Sequence, residues 1–115
     1  MKKIKKYEKI IIQLLEQYAS PFQLNPKSEV QEQVIVDTIH HHYQWLTTGN
    51  DAGENFKNYI NIHFSIKPNG KVWLMENLTD VRVAEELVKL GVPRADIVLE
   101  FQPPSVRTLT GYAVA

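Results

Sequence analysis

The feature that most constrains the fold is a run of alternating apolar and polar residues over residues 58–67. A period of two is typical of a β-strand with one buried face. Pro68-Asn69-Gly70 follows, and Asn-Gly is a strong hairpin signal because both residues tolerate a positive φ. The apolar members of the alternation are Ile60, Ile62, Phe64 and Ile66.

Weaker alternation predicts three more strands, over residues 32–38, 41–48 and 71–76. The connections between the four strands are too short to hold crossover helices. We therefore predict an antiparallel sheet of about four strands.

Helices are predicted on both sides of the strands in the sequence. Residues 3–19 form an amphipathic pattern, a second helix covers residues 80–90, and a further turn covers residues 94–100. The apolar stripe of the first helix comprises Ile4, Tyr7, Ile11, Leu14, Leu15 and Tyr18. The predicted fold class is α+β with two layers, in which the N-terminal helix and one or two C-terminal helices pack on one face of the sheet. The opposite face, predicted to be wet or an interface, carries Tyr59, His63, Trp73 and Met75.

Size and composition narrow the class of protein. A length of 115 residues fits one domain, spanning residues 1–115. The 13 acidic and 13 basic residues cancel, which argues against a domain built mainly to neutralise phosphates. The absence of cysteine excludes disulfides, thiolate nucleophiles and cysteine zinc sites.

The N-terminal lysines followed by Ile10-Ile11-Ile12 resemble the start of a signal peptide. Gln13 and Glu16 interrupt the apolar run, and no cleavage site follows, so we expect a cytoplasmic protein.

The C-terminal segment, residues 91–115, is unusually apolar for a chain end. Most termini become polar and poorly ordered. This one contains the rigid Pro103-Pro104 step, Arg107 as the one charged residue after Glu100, and an uncharged final stretch. We therefore expect this segment, called the tail below, to be docked on its own domain or on a partner.

The tail resembles that of the XisI family, the fdxN element excision controlling factor proteins. The matching tail residues are Gly91-Val92-Pro93, Asp96-Ile97-Val98-Leu99, Pro103-Pro104, Arg107, Thr108 and Ala113-Val114-Ala115. Upstream matches are Asp37-Thr38, His42-Tyr43, Gly70-Lys71-Val72-Trp73, Asn77, Thr79, Ala84 and Glu86-Leu87-Val88. The resemblance covers essentially the whole chain. It departs at Ile39-His40-His41, where members often carry charged residues, and at Asn50, where a tryptophan often follows the glycine.

The resemblance implies a role in DNA excision. The family is named after a factor required for programmed excision of a DNA element in cyanobacteria. It is discussed beside a site-specific recombinase and beside XisH, which looks like a nuclease-fold protein. The resemblance therefore implies a non-enzymatic accessory factor that acts by protein–protein contact, with an XisH-like nuclease-fold protein or a site-specific recombinase as its partner. No cofactor is expected, and formation of a homodimer is left open.

The residues themselves offer an interaction surface around Arg107 of the tail. A guanidinium can bind a carboxylate or the carbonyl groups of the tail, and arginine and aromatic residues are favoured at interfaces. Packing of the tail within its own domain remains the equal alternative. The interaction candidates are Arg107, Tyr112, Pro103, Pro104, Trp73 and Tyr59.

Two other function classes remain open. A metal-dependent hydrolase would use the weak ligand candidates His40, His41, His42 and His63. Consecutive strand residues point to opposite faces, which makes solvated or sheet-packed histidines the simpler interpretation. A direct DNA-binding factor would use the lysines of the first helix, although a charged run is usually a solvated face. Those lysines are Lys2, Lys3, Lys5, Lys6 and Lys9.

One carboxylate stands out because it lies in a predicted strand. Asp37 could serve acid–base chemistry, but a structural role as the cap of a turn or as a partner of Arg107 is the favoured interpretation.

Overall fold

A computed structural model describes residues 2–23 and 29–115, without the side chains of residues 22 and 23. The helices among these residues are α1 (Lys2–Ala19), α2 (Val83–Lys89) and α3 (Pro104–Arg107), with 3-10 turns at Ser20–Gln23 and Arg94–Asp96. The strands are β1 (Gln31–Asp37), β2 (His42–Asn50), β3 (Phe56–Ile66), β4 (Val72–Asn77) and β5 (Ile97–Leu99). None of the helices in these ranges is both long enough and apolar enough to cross a membrane.

The described strands form one five-stranded mixed sheet in the order β1-β2-β3-β4-β5. The first four strands are antiparallel neighbours, and β5 runs parallel to β4. The predicted α+β class is confirmed, but an all-antiparallel sheet of about four strands is wrong. The predicted turn over residues 94–100 contains the missed strand, because three apolar residues are too few to show an alternation. Helix α2 supplies the crossover that a parallel pair requires.

One face of the sheet is covered by α1 and α2. Four residues of α1 (Tyr7, Ile11, Leu14 and Leu15) are between 0 and 4% exposed. They belong to the same apolar core as Phe64 of β3 and Leu87 of α2. The two-layer packing therefore follows from the predicted stripe of α1, which removes its apolar side chains from water against the sheet.

A β-bulge divides β3 into two halves. Trp45 pairs with Ile62 and Leu46 pairs with Ile60, so Asn61 is an extra residue on β3. Beyond the bulge Tyr59 pairs with Thr47 and therefore shares its face of the sheet. Thr47 is two residues from the buried Trp45 and lies on the helix-covered side. The prediction that Tyr59 lies on the opposite face with His63 and Trp73 is wrong, because the bulge reverses the alternation.

Candidate functional site: the docked C-terminal tail

The tail is docked on its own chain through Arg107, which is only 9% exposed. Its Nε donates to the carbonyl oxygen of Gln102 at 3.0 Å, and Nη2 donates to that of Glu100 at 3.2 Å. Its Nη1 donates to the carbonyl oxygen of Val114 at 3.3 Å. The guanidinium carbon lies 5.4 Å from the centre of the Trp73 ring, within the range of a cation–π contact. Backbone carbonyls and one aromatic face thus stabilise the buried cation.

Local sequence shapes the tail around this arginine. Pro104 occupies the first turn of α3, where its fixed φ and missing N–H are compatible with a helix start. Thr110 Oγ1 donates to the carbonyl oxygen of Arg107 at 2.8 Å and accepts from the N–H of Tyr112 at 3.1 Å. The N–H of Ala113 then donates to the carbonyl oxygen of Ile97 at 2.8 Å, which ties the end of the tail to β5.

The other interaction candidates fall in different places. Tyr112 is partly buried against the core, and the guanidinium of Arg94 lies 5.0 Å from its ring centre. Pro103 and Pro104 are exposed at the start of α3. Trp73 lies under Arg107, whereas Tyr59 lies on the helix-covered side. The structure therefore brings Trp73 and Arg107 together and separates Tyr59 from them.

The docked tail exposes large apolar side chains that the sequence analysis did not single out. Leu109 is 83% exposed and Phe101 is 50% exposed. Val114 and Val106 are also exposed, at 49% and 37%. Apolar composition alone could not reveal them, because it does not say which side chains of a docked segment face inward.

The four histidines do not form one cluster. The Nδ1 of His40 lies 3.0 Å from Asp37 at the β1–β2 turn. On the uncovered sheet face, His42 Nδ1 lies 3.1 Å from His63 Nε2. Burial and the neighbouring His42 lower the pKa of His63, against the opposing effect of Glu100 and Glu76. Within residues 2–23 and 29–115, no group of three or more His, Cys, Asp or Glu side chains is placed to hold a metal ion.

His41 belongs to a separate hydrogen-bonded cluster between α1 and β2. The hydroxyl of the buried Tyr43 donates to Glu8 Oε2 at 2.6 Å, and His41 Nδ1 lies 2.8 Å from the same hydroxyl. Burial and the bond to Glu8 raise the pKa of Tyr43. His41 has a φ of 59°, an uncommon conformation for a non-glycine residue. This cluster connects the β1–β2 turn to α1.

Asp37 caps the β1–β2 turn. Its Oδ1 accepts from the N–H of His40 at 3.0 Å and from the N–H of Ile39 at 2.9 Å. These bonds to backbone N–H groups, together with the His40 side chain, lower the pKa of Asp37 to about 2. The predicted structural role of Asp37 is confirmed as the cap, and its suggested bond to Arg107 is wrong.

The lysines of α1 are divided between two environments. Lys3 Nζ lies 3.0 Å from Asp96 Oδ2, which also accepts a hydrogen bond from Tyr7 at 2.5 Å. Burial opposes ionisation of Asp96, but the bond from Tyr7 and the charge of Lys3 lower its pKa overall. The remaining predicted candidates are exposed: Lys2, Lys5, Lys6 and Lys9.

Comparison with known proteins identifies the family. The profile of the family described as XisI protein matches residues 1–114. The crystal structure of a XisI-like protein from Anabaena variabilis ATCC 29413 is 46% identical, covers 97% of this chain and 99% of its own, and superposes with a TM-score of 0.87. The fdxN element excision controlling factor XisI from the same organism is 30% identical, covers 98% and 99% of the two chains, and gives a TM-score of 0.81. A search of curated proteins finds no match. The chain belongs to the XisI family.

Proposed function

We propose that the protein is a non-enzymatic accessory factor that controls DNA excision by contact with a protein of the excision machinery. Its membership in a family that includes a named excision controlling factor supports this role. The proposed partner is an XisH-like nuclease-fold protein or a site-specific recombinase. Self-association into a homodimer would be compatible with the same role.

The observation that carries the proposal is the outward side of the docked tail. Leu109, Phe101 and Val106 expose large apolar side chains within nine residues of one segment. The backbone of that segment is fixed by the three bonds from Arg107. Apolar side chains on a fixed backbone lose little conformational entropy on binding, which favours a protein interface.

The uncovered face of the sheet lies next to this tail surface. Trp73 belongs to that face and lies beneath Arg107, while His42 and His63 form a pair on the neighbouring strands. Aromatic residues and arginine are enriched where partners bind. The tail and the face beside it would form one contact surface of mixed apolar and polar character.

The test uses two exposed apolar residues in different parts of the molecule. Leu109 on the tail is 83% exposed, and Ile39 in the β1–β2 turn is 81% exposed. Each is replaced by serine, and the tagged proteins are co-expressed with an XisH-like protein or with a recombinase. Leu109→Ser is expected to reduce co-purification of the partner about tenfold, as expected for an interface hot spot, while Ile39→Ser leaves it unchanged.

Two outcomes would contradict the proposal. The first is that neither candidate partner co-purifies with the unmodified protein. The second is that the Leu109→Ser variant retains as much partner as the Ile39→Ser variant. Circular dichroism of both variants verifies that the comparison is made between folded proteins.

Direct DNA binding is the second candidate function, favoured by the four exposed lysines of α1. No carboxylate lies within ion-pair distance of Lys2, Lys5, Lys6 or Lys9 among the described residues. If these side chains bind phosphates, affinity should fall steeply with salt. A gel shift with the quadruple lysine-to-glutamine variant tests this function, and the absence of a salt-sensitive complex at micromolar protein would exclude it.

A further inference from the structure

A cavity of about 700 Å³ lies on the helix-covered side, beyond the C-terminal end of α1. Its walls come from the end of α1, from the central strands and from the segment after β4. Pockets of roughly 300–1,000 Å³ are the usual size for small-molecule sites. The residues used in the argument below are Tyr18, Trp45, Thr47, Lys57, Tyr59 and Asn61.

The β3 bulge creates one wall of this cavity. Asn61 is the extra residue, and the bulge places Tyr59 on the cavity side of the sheet. Lys57 lies two residues further along and therefore shares that face. The carbonyl oxygen of Asn61 accepts from the N–H of Leu78 at 2.8 Å, which holds the segment after β4 against the bulge. An amide, a phenol ring and an ammonium group thus follow one another along β3. Bulges commonly re-aim side chains beside functional sites.

Asn61 and Thr47 contribute polar atoms to the lining of the cavity. Asn61 is 9% exposed, and its Nδ2 donates to Thr47 Oγ1 at 2.8 Å. Thr47 in turn donates to Glu32 at 2.9 Å, which fixes the orientation of the amide. With its Nδ2 used in this way, the Oδ1 of Asn61 is the atom of the amide that can accept a hydrogen bond from a ligand.

A buried polar group without a hydrogen-bond partner lines the same cavity. The hydroxyl of Tyr18 is buried without a hydrogen-bond partner among the described residues. Burial, assisted by Glu86, raises the pKa of Tyr18 to about 12, so the hydroxyl is protonated at neutral pH. Unsatisfied buried polar groups in native proteins are few and call for an explanation.

The remaining lining favours a flat ligand, and its two charged groups are the ammonium of Lys57 and the carboxylate of Glu32, which accepts hydrogen bonds from Trp45 Nε1 and Thr47 Oγ1. The rings of Tyr18 and Trp45 lie 6.3 Å apart with an interplanar angle of 33°, and Tyr59 adds a third aromatic side chain. The half-buried Lys57 has no ion pair with a carboxylate among the described residues. Aromatic walls favour planar rings, and a single ammonium favours an anionic group.

We propose that this cavity binds a small heteroaromatic anion of nucleoside monophosphate size. An amino group of the ring would donate to Asn61 Oδ1, the ring would pack against Tyr59 and Trp45, and Lys57 would bind the anionic group. This site is separate from the tail surface, because no residue of the tail lines the cavity.

The two tryptophans of the chain provide an internal control. Trp45 lines the cavity, while Trp73 lies under Arg107 on the other face. Adenosine 5′-monophosphate is titrated into labelled protein, and the two indole N–H signals are followed by NMR. The Trp45 signal should shift saturably while the Trp73 signal stays fixed. No saturable shift at millimolar nucleotide, equal shifts of both signals, or the same shift with inorganic phosphate alone would overturn the proposal.

Matched lysine variants test the anionic contact. Lys57→Gln should weaken binding of adenosine 5′-monophosphate about tenfold, because it removes a charge-assisted hydrogen bond, and should leave the affinity for adenosine unchanged. Lys67→Gln, directly after β3 and beside Trp73, should change neither affinity. Equal weakening by the two variants, or no weakening by Lys57→Gln, would overturn the proposed ligand class.

Discussion

The two ends of the described chain dock on the same sheet by different physical means. Helix α1 is held by an apolar stripe in which Ile11 and Leu15 are fully buried. Beyond β5, the tail is held mainly by polar contacts. Arg107 makes three hydrogen bonds that all end on backbone carbonyls, and Lys71 Nζ donates to the backbone oxygen of Ala115. An apolar stripe needs only a nearby apolar surface, since hydrophobic burial is non-directional. A guanidinium needs acceptors at fixed positions, which only the folded chain provides.

The two regions are also linked to each other. Tyr7 of α1 donates to Asp96, which directly precedes β5, and Lys3 forms an ion pair with the same carboxylate. The expected losses of stability follow from this arrangement. They are largest for the apolar stripe of α1, smaller for Arg107, smaller again for the Tyr7–Asp96 link and smallest for the outward side of the tail.

The largest loss of stability is expected when a buried side chain of the apolar stripe of α1 is shortened. Leu15→Ala should lower the free energy of unfolding by about 3 kcal/mol, because it removes buried methyl groups and leaves a void. Urea denaturation followed by circular dichroism measures the change. Ile39→Ala is the control at an exposed site and should change stability by less than about 0.5 kcal/mol. A similar, small change for both variants would contradict the role of the stripe.

A smaller, local effect is expected from Arg107→Met. Loss of three donors leaves carbonyls of the tail without partners and should weaken its docking by about 2 kcal/mol. The N–H of Ala113 should then exchange with solvent about thirtyfold faster, while that of Leu15 in α1 keeps its protection. Arg107→Lys keeps the charge but not the planar guanidinium with its several donors, so its exchange rate at Ala113 should be intermediate. Unchanged exchange at Ala113 would show that the arginine does not hold the tail.

The link between the regions should show itself in the pH dependence of stability. Burial and the bond to Asp96 raise the pKa of Tyr7 to about 12 from an ordinary value of 10. The stabilisation that the protonated hydroxyl of Tyr7 gives to the folded state is therefore complete below pH 10, and it is lost as the pH rises from about 10 to about 12. Tyr7→Phe should lower the free energy of unfolding by about 1 kcal/mol at pH 7. The difference in stability between the variant and the unmodified protein should become smaller as the pH rises from about 10 to about 12. A gap that is constant up to pH 12 would contradict this assignment.

The smallest effect on stability is expected from the outward side of the tail. Leu109→Ser changes a side chain that is 83% exposed and should alter the free energy of unfolding by less than about 0.5 kcal/mol. Thermal and urea denaturation provide the measurement. A loss above about 1 kcal/mol would show that Leu109 belongs to the packing of the tail rather than to a contact surface.

Regular elements with a clear period were predictable from the sequence. The helix expected over residues 3–19 is Lys2–Ala19, and the strand expected over residues 58–67 is Phe56–Ile66. Both patterns extend over enough residues to reveal their period. The strand Ile97–Leu99 was missed because three residues cannot show one, and because its parallel pairing with β4 depends on distant residues.

The candidate sites were less predictable than the elements. The tail was expected to dock on its own domain or on a partner, and the fold places it on its own chain through Arg107. The exposed Leu109 had no distinguishing signal, because its apolar character is the same whether it faces inward or outward. Tyr59 was placed on the wrong face because the bulge at Asn61 depends on the pairing of β3 with β2.

The sequence by itself determined the α+β class, the apolar stripe of α1 and the hairpin at Asn69-Gly70, because these depend on residues close together in the chain. The tertiary structure decided which carbonyls surround Arg107, which face carries Tyr59 and which residues line the cavity beside Trp45. Those features depend on strand register and on contacts between distant segments, where a shift of one residue reverses the face on which a side chain lies.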